Sequence, residues 1–158
     1  MIDKNRKKSI DDLVSELKSE YDTKNLEGLR QLSKDKEINV IEDDKVIIPC
    51  AYLIDKQKYI LLTKENSLSK HFAFGHELGH HLIDYLFNQG FGTEKEANYF
   101  SKQLTDERRP YFNIFIDCLV KYIKNPFLTT ECVLFSDLDN KNDLDIIKRY
   151  NSQKEKTI

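Results

Sequence analysis

The chain has little of what defines several common classes of protein. Its 158 residues contain no tryptophan, five glycines, three prolines and three cysteines. The cysteines, Cys50, Cys118 and Cys132, are far apart and form no CxxC pair, which argues against a disulfide framework or a cysteine-based zinc ribbon. No apolar run approaches the ~20 residues of a membrane span, and no apolar segment follows the basic N-terminus as in a signal peptide. We therefore expect a cytoplasmic protein with reduced thiols and no membrane partner.

An excess of charge of one sign is also missing. The 25 lysines and arginines nearly balance the 27 aspartates and glutamates, which leaves a formal net charge of −2. Dedicated nucleic-acid binders usually carry a basic excess or a basic face. The sequence after residue 110 also shows no helix-turn-helix pattern. We therefore expect no direct nucleic-acid partner.

The periodicity of the apolar residues predicts a single α+β domain over residues 1–158. Ser9 is the predicted N-cap of the first helix, and Thr93 with Glu96 forms a predicted capping box. We expect a small antiparallel sheet of about three strands, packed with helices that carry the site. The predicted segments are N-terminal helices at 9–33, strands at about 37–63, site helices at 68–104 and C-terminal helices at 111–155.

All four histidines fall within one segment, KHFAFGHELGHHLID (70–84). His76 and His80 are four residues apart, so on a helix both rings lie on one face and can reach one ion. Zn²⁺ accepts neutral imidazole nitrogen as a ligand. Glu77 would lie beside the metal without binding it, where a general base has to be. We expect His71 at the helix start or surface, and His81 in solvent or beside the ligands.

A catalytic zinc site needs a third protein ligand. Asp84 shares the face of the two histidines but lies about 12 Å along the helix from His76, too far to share an ion. The ligand must come from another element, and the next helix begins with EKEAN. Glu94 and Asn98 share a face there, so Glu94 is the preferred ligand and Asn98 would orient His76 through its other ring nitrogen. Glu96, which points away from Glu94, stays open as the alternative.

The segments KHFAFGHELGHHLI and EKEANYFSKQL, with the strand pair before them, resemble the ImmA/IrrE family of metallo-endopeptidases. The match covers about residues 45–105. The resemblance implies a zincin-type active-site helix with zinc ligands His76, His80 and Glu94, and Glu77 as the catalytic glutamate. It also implies that the substrate is a specific intracellular protein, a helix-turn-helix repressor of a mobile element or stress regulon.

The function favoured by the sequence is that of a zinc-dependent endopeptidase. Zinc would polarise the scissile carbonyl and lower the pKa of water, and Glu77 would take a proton from the attacking water. Tyr85, Tyr99 or Tyr111 could donate a hydrogen bond to the oxyanion, and the sequence does not choose among them. The alternative is a non-hydrolytic, zinc-containing regulatory binding module. The oligomeric state is not defined by the sequence.

Overall fold

The structure, a computed structural model, describes residues 2–46, 48–87, 92–107, 116–117 and 140–156. These ranges contain long helices and a three-stranded sheet, which confirms the predicted α+β class. The predicted helix after Pro110 lies outside the described residues, apart from the helical pair 116–117. The elements are α1 (Lys4–Glu20), α2 (Leu26–Asp35), β1 (Ile38–Asp43), β2 (Cys50–Ile54), β3 (Gln57–Thr63), α3 (Lys70–Phe87), α4 (Glu94–Thr105) and α5 (Asn140–Glu155).

The sheet is mixed, which corrects the prediction of an antiparallel sheet. Its strand order is β1-β3-β2. β2 and β3 form the predicted antiparallel hairpin, whereas β1 runs parallel to β3 with Ile38 opposite Lys58. The five residues from Tyr59 to Thr63 are all buried, so β3 occupies the centre and separates the two strands that precede it.

The first helix begins earlier than predicted. Asp3, not Ser9, is the N-cap, because its carboxylate accepts hydrogen bonds from the backbone N–H groups of Asn5 and Arg6. Residues 4–8 are polar or charged, so this turn carries no apolar period that could reveal it. At α4 the predicted capping box is confirmed, since Thr93 and Glu96 each accept a backbone hydrogen bond from the other.

The two faces of the sheet pack against different helices. Side chains alternate along β3, so Ile60 and Leu62 face α1–α4 while Tyr59 and Leu61 face α5. The larger cluster, on the face of α1–α4, is centred on Ile10, Leu17, Leu29, Leu32, Phe74, Leu78, Ile83 and Phe100.

Within the described ranges, no helix combines the length and apolar character needed to cross a bilayer.

The start of α3 is fixed by two polar contacts from distant segments. Asp117 accepts hydrogen bonds from the backbone N–H groups of Leu68 and Ser69, at 3.1 and 2.7 Å. Lys70 is only 4% exposed, and its ammonium donates to Glu42 of β1 at 2.6 Å. Both contacts orient the helix that carries the histidines.

Replacing Glu42 by Gln should destabilise the protein, because the buried ammonium of Lys70 would lose its carboxylate partner. We expect a loss of about 2 kcal/mol, less than for a fully buried pair because the Glu42 side chain is 24% exposed. Urea denaturation of both proteins measures the difference. Glu27→Gln is the control, since Glu27 also contacts Arg30 but is 83% exposed. Equal stabilities of the two variants would contradict this role of Glu42.

The pair formed by Lys70 and Glu42 also makes the stability of the fold depend on pH. Burial opposes ionisation of Glu42, but hydrogen bonds from Lys70 and Arg30 outweigh it and lower the pKa of the carboxyl group. A lowered pKa means that this stabilisation is complete above the ordinary glutamate pKa of about 4.3 and is lost as the pH falls through the folded-state value. The Glu42→Gln variant should therefore lose less stability than the parent when urea denaturation is repeated in that acidic range.

Candidate metal centre

Three side chains from two helices converge at one point. The Nε2 atoms of His76 and His80 in α3 lie 3.0 Å apart. The carboxylate of Glu94, the first residue of α4, lies 3.3 Å from the first of these atoms and 3.2 Å from the second. One potential ligand atom from each residue lies within 4.8 Å of the other two. The structure thus brings together the three residues assigned as ligands, while ligation itself stays a prediction.

The other ring nitrogen of each histidine faces an oxygen atom. Nδ1 of His76 lies 3.1 Å from Oδ1 of Asn98, and Nδ1 of His80 lies 2.7 Å from the carbonyl oxygen of Gly92. An oxygen acceptor favours a proton on Nδ1, which leaves a lone pair on Nε2 of the neutral ring. Two nitrogen lone pairs and a carboxylate then face the same small space. Imidazole nitrogen with a carboxylate is a donor set that suits a divalent metal ion such as zinc.

Small residues allow the two helices to approach closely enough for this convergence. A Cβ atom on Gly79 would lie 3.1 Å from Cα of Ala97, and one on Gly75 would lie 2.6 Å from Oγ of Ser101. A larger residue at either position would therefore require Ser101 or the neighbouring atoms at Ala97 to shift. Gly79 thus permits a close contact between α3 and α4.

Asn98 and Glu96 have different surroundings on α4. Asn98 lies beside His76, as expected from its position one turn after Glu94. Glu96 is 4% exposed and accepts hydrogen bonds from the backbone N–H of Thr93 at 3.0 Å and from Arg6. Despite its burial, the bonds from Arg6 and Thr93 lower the pKa of Glu96. The alternative ligand is thus used in capping α4 and in joining it to α1.

Glu77 is buried between α3 and the β2 edge of the sheet. Burial, followed by the negative charge of Glu94, raises the pKa of the Glu77 carboxyl group well above its ordinary value. A hydrogen bond from the backbone of Ala51 acts in the opposite direction. Glu77 is thus next to His76 in sequence, and the charge of Glu94 acts on its carboxyl group.

Three other residues considered from the sequence have hydrogen-bond partners outside the His76, His80 and Glu94 group. His71 is half-buried, with Nε2 2.8 Å from the carbonyl oxygen of Thr23. His81 is buried, not solvated, and its Nε2 lies 2.9 Å from the carbonyl oxygen of Tyr59. The hydroxyl group of Tyr99 donates to Asp11. The side chains of Asp84, Tyr85 and Tyr111 lie outside the described residues.

Two contributors to the site were not predicted from the sequence. The carbonyl of Gly92 and the backbone of Ala51 act through main-chain atoms, which residue type does not reveal. No residue type or spacing in the sequence marks these two backbone groups. Cys50 is half-buried, and burial together with the charge of Glu77 raises the pKa of its thiol to about 12.

No protein-family model matches the chain, and no curated protein or solved structure was found to be similar to it. The resemblance to ImmA/IrrE metallo-endopeptidases therefore rests on the two sequence motifs and the residues that they name. Interpretation of the centre rests on the chemistry of those residues and on their geometry.

The hydrogen bonds predict opposite tautomers for two pairs of histidines. At about pH 8, where imidazole is neutral, His76 and His80 should carry the proton on Nδ1. His71 and His81 should carry it on Nε2, because that atom faces a carbonyl oxygen in each. Long-range ¹⁵N–¹H correlation spectra of chelator-treated protein distinguish the two forms. A proton on Nε2 of both His76 and His80 would contradict the orientation described here.

Proposed function

We propose that this chain is a zinc-dependent endopeptidase, similar to the ImmA/IrrE metallo-endopeptidases and acting in the cytoplasm. The observation that carries the proposal is the convergence of Nε2 of His76, Nε2 of His80 and the Glu94 carboxylate, with each Nδ1 held by an oxygen. Zinc binds neutral imidazole and carboxylate ligands. The Glu94 side chain is 77% exposed, so its carboxylate is accessible to solvent.

The roles of the residues follow from their positions. Zinc, when bound, supplies a Lewis acid that polarises a carbonyl group and lowers the pKa of water. Glu77 accepts a proton from the attacking water and delivers it to the amine of the leaving peptide. Asn98 and the carbonyl of Gly92 hold the two imidazole rings so that their Nε2 lone pairs stay directed at the same point.

The alternative function, a non-hydrolytic zinc-containing regulatory module, is less well supported by this arrangement. Structural zinc sites are usually closed by four protein ligands, whereas catalytic sites have three and leave a position open. Among the described residues, three side chains form the group, and a further carboxyl group lies beside them. A proton-accepting group near the ligands has a use in hydrolysis and none in a site that only binds zinc.

The substrate class is taken from the resemblance alone. We propose that the substrate is a specific intracellular protein, namely a helix-turn-helix repressor of a mobile element or stress regulon. Binding of such a substrate requires contacts beyond the scissile bond, because a short peptide at the centre offers little binding energy.

The first prediction of this proposal concerns metal content. The chain should hold about one zinc ion after reconstitution, and His80→Ala or Glu94→Gln should each lose most of it, because a two-ligand remnant binds weakly. Asn98→Ala should weaken affinity by about tenfold or more, because His76 would lose its orienting partner. Elemental analysis after dialysis measures the zinc. Glu96→Gln is the matched control on α4 and should keep the metal. If Glu94→Gln kept the zinc and Glu96→Gln lost it, the ligand assignment would be refuted.

The second prediction concerns cleavage. Glu77→Gln should retain zinc and fold but lose hydrolysis by about 100-fold or more, because an amide cannot accept the proton. The assay combines purified protein with a helix-turn-helix repressor encoded beside it, and mass spectrometry identifies the fragments. Chelation should stop the reaction, and casein should remain largely intact.

Two results would count against this function. Rapid digestion of casein alongside an intact repressor would contradict the specificity. An intact repressor that stays bound to the zinc-loaded protein would favour the regulatory module in place of the peptidase.

A further inference from the structure

A concave site lies at the β1 edge of the sheet, opposite to the β2 edge. It is a groove of about 700 Å³ along β1. α2 borders it on one face of the sheet, where Arg30 and Lys34 line it, and α5 borders it on the other face, with Tyr150 and Lys154. The hairpin turn at Lys56 closes one end. The groove is therefore built from elements other than α4, which supplies Glu94.

The floor of this groove is an unpaired strand edge. β1 pairs with β3 on one side only, so alternate main-chain N–H and C=O groups point away from the sheet. Among the described residues, no hydrogen bond outside the sheet involves a backbone group of residues 38–42. An edge with free donors and acceptors is a template on which an extended segment can add as a further strand.

The side chains around this edge carry an excess of positive charge. Arg30, Lys34, Lys56 and Lys154 line the groove, against two carboxylates. One of these, Glu42, is already paired with Arg30 and Lys70. The three lysines form no ion pair with any described residue. This local excess contrasts with the net charge of −2 of the chain, and it selects an acidic ligand.

We propose that this groove binds an extended acidic segment of another protein, which adds to the sheet beside β1. Its backbone would pair with the free edge, and its carboxylates would contact Lys34 on one face and Lys154 on the other, because side chains of a strand alternate between faces. A second copy of this chain fits less well. Pairing of two β1 edges would bring the cationic side chains of both grooves together, and like charges repel.

The test measures binding of a fluorescein-labelled peptide of about ten residues that alternates glutamate with valine and is long enough to pair along the six residues of β1. Fluorescence anisotropy should show binding that weakens with added salt. The double variant Lys34→Glu/Lys154→Glu should raise Kd by about tenfold or more, because attraction becomes repulsion. The matched control is Lys8→Glu/Lys102→Glu, which makes the same charge change at exposed positions of α1 and α4 and should leave Kd unchanged.

Hydrogen exchange separates strand addition from simple charge attraction. Bound peptide should slow amide exchange in residues 38–43, and a lysine-valine peptide should produce no slowing. Binding without added protection of β1, or an equal Kd for the two double variants, would overturn the proposal. A dimer that forms without peptide, detected by sedimentation, with β1 already protected from exchange would also overturn it. So would binding of oligothymidylate that depends on the groove lysines and is tighter than binding of the peptide. Chelator-treated protein should bind the peptide equally well, so this result is independent of the proposed peptidase activity.

Discussion

The close contact between α3 and α4 is the constraint on which the cluster of His76, His80 and Glu94 depends. Gly75 and Gly79 have no side chains, so the Ser101 side chain and the backbone at Ala97 come close to α3. The hydroxyl of Ser101 also donates to the carbonyl of Phe72 at 2.6 Å, which fixes the position of α4 along α3. Only at this separation does a carboxylate from the start of α4 reach two imidazoles on α3. The site is therefore a product of helix packing.

The rotation of α3 about its own axis matters as much as its distance from α4. Polar contacts tie the helix to all three strands: Lys70 to Glu42 in β1, Glu77 to the backbone of β2, and His81 to the carbonyl of Tyr59 in β3. Buried apolar side chains alone would tolerate some rotation, whereas directional hydrogen bonds in a buried environment do not. With one face held to the sheet, His76 and His80 are left facing α4.

Much of the centre was predictable because side-chain directions on a helix follow from residue spacing. That rule identified His76 with His80, and Glu94 with Asn98, without knowledge of the fold. It could not identify the partner of His80, which is the backbone carbonyl of Gly92, or that of Glu77, which is the backbone of Ala51 in β2. The pairing direction of β1 was also missed, because apolar alternation along a strand is the same whichever way its neighbour runs. The buried position of His81 depends on packing against the sheet, which spacing alone does not give.

The central strand also separates the two regions of the surface that we assign to binding. β3 is buried on both faces and pairs on both sides, so β1 and β2 are held about 10 Å apart at opposite edges. Glu77 accepts a hydrogen bond from the backbone of β2, whereas the basic groove runs along β1. None of the residues that line the groove belongs to the group of His76, His80 and Glu94, so a segment paired with β1 need not compete with a ligand at that group.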